Sequence, residues 1–171
     1  PRIVRDRELD GRKETFQELV QKGLGGFLVR NMESYGILDT MGLTSRIVLD
    51  ANIYTMNNRA EAFWMKKGIL GDTVPLELNA KELVHRNNKN SELTVYGYTP
   101  MMVSVQCVQK TMDHCNHACV QYVLKDRYQK EFRGVCSCEF CYNTIYNTLP
   151  TSLLKEKLSL IHISEPTRLH L

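Results

Sequence analysis

Four short apolar runs recur at similar intervals in the first part of the chain, and each ends in polar residues. They are rich in Val, Leu and Ile and hydrophobic on both faces, a pattern typical of strands in a parallel sheet covered by helices. The runs are GGFLVRN (residues 25–31), SRIVLDAN (45–52), DTVPLELN (72–79) and ELTVYGY (92–98).

Helix-like segments separate these runs. MESYGILDTMG (32–42) and NNRAEAFWMKKG (57–68) both stop at a glycine, and AKELVHRNNKN (80–90) is shorter. PRIVR (1–5) is interpreted as the end of an earlier strand, followed by a helix within residues 7–23. Strands that alternate with helices at this spacing predict βαβ units and an α/β fold.

Polar side chains follow the predicted strands where ligands bind in parallel α/β proteins. Arg30 and Glu77 are the predicted catalytic residues, because a charge beside a buried strand needs a partner or a function. The predicted substrate-binding residues are Asn31, Asn52, Asn79 and Tyr96. For Asn52 and Asn79, the alternative is that each side chain caps the helix that follows it.

Cysteines are confined to one part of the chain. Six lie within the 35 residues of the region 107–141, and none occurs in the first 106. A C-x-x-C pair and a C-x-x-x-C pair have near zinc-ribbon spacing, and His114 and His117 offer nitrogen ligands. Thiolates also suit an iron–sulfur cluster, so spacing leaves the metal open, and free core thiols are the remaining alternative. The cysteines are Cys107, Cys115, Cys119, Cys136, Cys138 and Cys141.

Composition excludes several classes of protein. Hydrophobic residues at 43% and charged residues at 24% are those of a globular protein, and a net charge of +3 is too weak alone to indicate nucleic-acid binding. No apolar run reaches the roughly 18 residues of a membrane span, and no secretory leader follows Pro1. We therefore expect a cytoplasmic protein without a membrane partner, in which clustered cysteines bind metal more often than they form disulfides.

The two ends of the chain suggest a fragment. Pro1 indicates that upstream sequence is missing, and LSLIHISEPTR (158–168) resembles the translation of a transposase adaptor used in sequencing libraries. We predict a native segment 1–157 and a non-native tail 158–171. His162 and His170 are thereby excluded as ligands.

Three segments of the second half resemble one family. VYGYTPMMVSVQCVQKT (95–111), LKDRYQKEF (124–132) and CEFCYNTIYNTLP (138–150) are similar to the collagenase-like peptidase family, also called peptidase family U-32, in its long branch from anaerobic Gram-positive bacteria. The resemblance extends upstream through GFLVRN, LDANIYTMN and LELNAKEL, and covers residues 1–157.

The resemblance implies a (β/α)8 TIM-like barrel. Such a barrel needs eight strands and about 250 residues, whereas this chain offers about five βα units, so a partial barrel is expected. Its open edges predict that the chain alone is unstable or self-associates.

The resemblance also implies a four-iron, four-sulfur cluster, with zinc as the alternative metal. Its ligands would be Cys107, Cys115, Cys138 and Cys141. Departures from the family pattern at Cys119 and Cys136 leave open the choices between Cys115 and Cys119 and between Cys136 and Cys138.

Relatives act in hydroxylating pyrimidines of transfer or ribosomal RNA, with prephenate as the proposed hydroxyl donor. One alternative is a peptidase with a structural metal, although neither H-E-x-x-H nor G-x-S-x-G occurs. Another is a zinc-bound RNA-binding module.

Basic and aromatic residues interleaved between 122 and 133 favour an RNA partner, with a solvated surface loop as the other interpretation. The Tyr-Asn repeat at residues 142–147 would place these side chains on one face of a helix.

Overall fold

The computed structural model describes residues 9, 11–113 and 115–153. The chain divides into two compact units, with the boundary between Thr94 and Val95. The predicted strand at residues 1–5, His114 and the predicted tail lie outside the described residues.

The first unit is an α/β unit with a four-stranded parallel sheet, as the apolar runs predict. Its strands follow one another in chain order, and each pairs in parallel with the next. The strands are β1 (Phe27–Val29), β2 (Ile47–Leu49), β3 (Gly71–Thr73) and β4 (Ser91–Glu92). The helices are α1 (Arg12–Gln21), α2 (Met32–Thr40), α3 (Asn58–Lys66) and α4 (Ala80–Val84).

The core of this unit lies on one face of β1 and β2. Ile47, Leu49 and Leu38 of α2 are fully buried, and Trp64 of α3 is buried in the same cluster. Partly buried side chains of α1 pack on the same cluster. On the opposite face, Leu28 is 53% exposed. The expectation that both faces are covered is therefore wrong for β1 in the described part of the chain.

The third and fourth apolar runs form less strand than predicted. β3 ends at Thr73, two residues before Pro75, whose ring removes the N–H that a sheet ladder needs. The fourth run is split, because Ser91–Glu92 extends the parallel sheet whereas Tyr96–Gly97 belongs to the second unit. The predicted strands at residues 74–79 and 93–95 are thus wrong.

A buried ion pair lies beside β3. The side chains of Asp72 and Arg86 are each 1% exposed and form a salt bridge. The Asp72 carboxylate also accepts hydrogen bonds from the hydroxyls of Ser91 (2.6 Å) and Thr55. The Nε of Arg86 donates to the Thr55 carbonyl at 2.8 Å. Each buried charge therefore has several hydrogen-bonding partners, as buried charges in proteins require.

Replacing Asp72 with alanine leaves the Arg86 guanidinium buried without its counter-ion. We expect a loss of about 3–5 kcal/mol in the free energy of unfolding, measured on the full chain by urea denaturation. Lys22→Ala is the control, because its ion pair with Glu18 is 4.0 Å long and mostly exposed, and it should cost less than about 1 kcal/mol. Equal losses in the two variants would show that the buried pair is not a main source of stability.

The second unit is built on a four-stranded antiparallel sheet that the sequence analysis did not predict. Its spatial order is β6-β9-β8-β7, and β5 and β10 form a separate antiparallel pair. The strands are β5 (Tyr96–Gly97), β6 (Pro100–Ser104), β7 (Gln121–Lys125), β8 (Glu131–Ser137), β9 (Tyr142–Tyr146) and β10 (Thr151–Ser152). The short helix α5 (Val108–Thr111) follows β6.

The helix considered for residues 142–147 is wrong, because Tyr142–Tyr146 is a strand. Its burial alternates, with Asn143 and Ile145 buried and their neighbours half-buried. Period-two alternation with Thr, Ile and Tyr favours a strand over a helix. The Tyr and Asn side chains therefore point to opposite faces of the sheet.

Among the described residues, no helix combines the length and apolar character that a membrane crossing requires.

Candidate metal centre

The antiparallel sheet brings the distant cysteines to one end. Asn143 of β9 pairs with Ser104 of β6 on one side and with Cys136 of β8 on the other. Cys107 follows β6 by three residues, and a 3-10 helix, Cys138–Phe140, follows β8. Strand pairing therefore collects segments that are about thirty residues apart in sequence.

The first contact among the thiols joins Cys107 and Cys136, whose sulfur atoms are 3.7 Å apart. Backbone N–H groups of Lys110 and Gln109 donate to the Cys107 sulfur and hold the pKa of that thiol below its usual value. Cys136 is fully buried. Burial, followed by the neighbouring sulfur of Cys107, raises the pKa of Cys136 to about 12. Cys107 is therefore the member of the pair that forms a thiolate first.

The second group comprises Cys115, His117 and Cys138. Their ligand atoms all lie within 4.8 Å of one another. Two sulfurs on one tetrahedral zinc ion, with Zn–S bonds of about 2.3 Å, stand roughly 3.8 Å apart. Small side-chain adjustments would thus bring this group around one metal ion.

The thiol of Cys138 links the two groups. Its pKa is raised by burial and, after that, by charge on Cys115, Cys141, Cys119 and Cys107. Of the four predicted ligands, Cys115 and Cys138 belong to the group within 4.8 Å, whereas Cys107 and Cys141 do not. Cys141 itself is exposed, and its thiol donates to the Cys138 carbonyl at 3.6 Å.

Two residues at this end of the sheet adopt left-handed backbone conformations. His117 has φ of 56° and Cys141 has φ of 50°. Residues other than glycine rarely adopt such angles, and those that do are concentrated at functional sites. Tyr54, Asp113 and Gln129 share this conformation, so it does not by itself mark a ligand-binding loop.

The first unit holds most of the other predicted site residues. Arg30 follows β1, and its Nε lies 2.5 Å from the Asp50 carboxylate that follows β2. Asn31 caps α2 by accepting the N–H of Ser34 at 2.8 Å. Glu77 lies exposed in a turn, away from any strand end, so the argument for it from a buried strand is wrong.

Helix capping explains Asn79 and does not explain Asn52. Asn79 and Glu82 form a reciprocal capping box at the start of α4. Asn52 lies inside a 3-10 helix, Ala51–Ile53, whose cap is Asp50. Tyr96 belongs to the second unit, where it is 56% exposed on β5.

A small cavity of about 160 Å³ lies at the end of β1. Phe16 and Phe27 give it an apolar part, and Arg12, Arg30 and Ser34 give it polar groups. Arg30 was predicted at this edge from the sequence. Arg12 was not, because nothing in the helical pattern of α1 relates it to the end of a strand.

Of the basic and aromatic residues at 122–133, those at 127–130 lie in the exposed turn of the β7–β8 hairpin and the others on its strands. The interpretation as a solvated surface loop therefore fits the turn alone. The guanidinium of Arg127 stacks over the ring of Tyr128 at 4.7 Å, and that of Arg133 over Tyr98 at 5.5 Å. Tyr128 is 67% exposed, whereas the hydroxyl of Tyr122 is buried and Tyr122 is not free to stack on a base.

Comparisons of the chain with protein-family models, with curated proteins and with solved structures found no match. The family resemblance noted above therefore remains a prediction.

Cys138→Ala and Cys141→Ala should each abolish metal binding, since each removes one of four predicted ligands. Cys136→Ala should keep the metal, because Cys136 is predicted to lie beside the centre without binding it. The measurement is metal content per chain after anaerobic purification of the three variants. Equal loss in all three would mean that the predicted set of ligands is wrong.

Proposed function

We propose that the chain is part of a protein of the collagenase-like peptidase family that holds a four-iron, four-sulfur cluster and acts in pyrimidine hydroxylation of transfer or ribosomal RNA. One observation carries the proposal. The sulfurs of Cys115 and Cys138, two of the four ligands that the resemblance implies, lie within 4.8 Å of each other, beside a ring nitrogen of His117.

The donor set suits this cofactor. Iron–sulfur clusters take four cysteine thiolates, and these four come from segments that strand pairing brings together. Cys107 already accepts backbone N–H groups, which favour its thiolate form. The half-exposed and exposed positions of the other three sulfurs leave room for a group larger than a single ion. When bound, the cluster would supply electron transfer.

A partial (β/α) barrel is the proposed architecture of the first unit. Helices α1 to α3 pack on the same face of β1 and β2. The other face presents Leu28, which is half exposed. In a barrel, helices cover only the outer face of the sheet, and the inner face is filled by side chains from strands around the ring. One-sided packing is what an incomplete barrel wall would retain.

Two surfaces fit the proposed substrates. The hairpin offers Arg127 stacked on exposed Tyr128, a combination that can neutralise a phosphate while a base stacks on the ring. The cavity beside β1 combines arginines with phenylalanines, so it would suit a small organic carboxylate such as prephenate. We place the reaction in the cytoplasm, where six free thiols stay reduced.

A zinc-bound RNA-binding module is the second candidate. It is favoured by the mixed group of Cys115, His117 and Cys138, because a nitrogen ligand among thiolates within 4.8 Å is typical of single-ion zinc sites. In that case the hairpin would bind RNA without any reaction.

Deleting the native gene should remove a hydroxylated pyrimidine from transfer or ribosomal RNA, detected by mass spectrometry of nucleosides. The full-length gene should restore it, Lys22→Ala should restore it equally, and Cys138→Ala should not. An unchanged RNA profile in the deletion strain would contradict the enzymatic proposal. Full restoration by Cys138→Ala would contradict a role for the cluster.

A further inference from the structure

The hydroxyl of Tyr122 is a buried donor without an acceptor. Three buried side-chain atoms in the described part of the second unit lack a hydrogen-bond partner: Gln109 Oε1, Tyr122 OH and Asn143 Oδ1. Buried polar groups almost always have partners, so each of these atoms needs an explanation. The two amide oxygens can only accept hydrogen bonds, whereas the hydroxyl can donate one. A thiolate can only accept hydrogen bonds, so among these three atoms only the Tyr122 hydroxyl can be its donor.

Gly134 fixes the position of the Tyr122 ring. The two residues are directly opposite in the pairing of β7 with β8. A Cβ on Gly134 would lie 2.2 Å from Cε2 of Tyr122 and 2.3 Å from Cζ. The ring thus lies flat over the glycine, in space that any other residue would occupy. This contact holds the hydroxyl in one place and favours a specific partner over a mobile one.

The sulfur pair of Cys107 and Cys136 lies on the same side of the sheet. Cys136 follows Gly134 by two residues on β8, so its side chain points to the face that the Tyr122 ring covers. A diagonal neighbour of this kind is within reach of an aromatic side chain. The Cys107 sulfur lies 3.7 Å from that of Cys136. Burial raises the pKa of Tyr122, and charge on Cys136 and Cys107 raises it further, which agrees with this placement.

We infer that Tyr122 is a positioning residue whose hydroxyl donates a hydrogen bond to the Cys107–Cys136 sulfur pair when Cys107 is a metal-bound thiolate. The inference rests on the proposed function in one respect, which is that Cys107 is a ligand. Hydrogen bonds from neighbouring groups orient metal ligands and withdraw charge from their sulfur atoms. Tyr122 therefore stabilises the thiolate form that the metal requires.

The test compares Tyr122→Phe with the wild-type chain, using Co²⁺ as the probe. Phenylalanine keeps the ring on Gly134 and removes only the hydroxyl. Without metal, the variant should be as stable as wild type or more stable, because an unpaired buried hydroxyl is lost. With metal, it should bind Co²⁺ about 10-fold more weakly or worse. Its sulfur-to-cobalt charge-transfer band should move to longer wavelength, because the sulfur becomes more electron-rich. A purely structural role would not give these opposite effects.

Tyr128→Phe is the matched control, because it removes a hydroxyl from an exposed tyrosine of the same hairpin and should change neither quantity. Unchanged affinity and an unchanged band in Tyr122→Phe would overturn the inference. A wild-type chain that gives no sulfur-to-cobalt band would overturn both this inference and the proposed function. The wild-type chain could instead give the band and yet carry no iron or sulfide after anaerobic purification. That result would overturn only the iron–sulfur proposal. The comparison of the two tyrosine variants would still decide the role of Tyr122.

Discussion

The pairing of β9 with β6 on one side and β8 on the other is the constraint on which the proposed site depends. Asn143 is paired in both ladders, and its side chain donates to the Gln106 carbonyl at 2.8 Å. That bond ties β9 to the segment just before Cys107. If either ladder slipped by one residue, the side chains on that strand would change faces and the sulfur pair of Cys107 and Cys136 would separate. Sheet register and thiol chemistry are therefore coupled.

The thiols differ chemically although they are close together. The Cys107 sulfur accepts hydrogen bonds from backbone N–H groups, which favour its thiolate form. Cys136 is buried in the sheet, which favours its protonated form. Six thiolates could not gather at one end of a sheet without strong mutual repulsion. A bound cation would remove most of that cost, because each metal-bound thiolate faces positive charge. Burial raises the pKa of Cys138, and charge on the neighbouring thiols raises it further, in the direction that such repulsion gives.

The parallel sheet of the first unit could be predicted from the sequence, because each of its first two strands is an uninterrupted apolar run followed by a helix with a clear stop. The pattern was less informative where polar residues form the strand. β3 reads Gly-Asp-Thr, and its buried aspartate is balanced by Arg86, a partner fourteen residues away that no local pattern indicates. The antiparallel sheet was missed because exposed apolar residues, such as Met101 and Met102 in β6 and Val123 and Leu124 in β7, interrupt the alternation that identifies a half-buried strand. Cysteine spacing predicted a metal site. It could not predict the contacts of Cys136 with Cys107 or of Tyr122 with Gly134, because both depend on strand register.

In the proposed site, Cys107, Cys115, Cys138 and Cys141 hold one four-iron, four-sulfur cluster at the end of the antiparallel sheet. The decisive measurement is X-ray absorption at the iron edge of the anaerobically purified native protein. We expect four sulfur neighbours for each iron and a second shell of iron atoms, as in a four-iron cluster. A spectrum with only nitrogen and oxygen neighbours, or a protein that contains no iron, would contradict it.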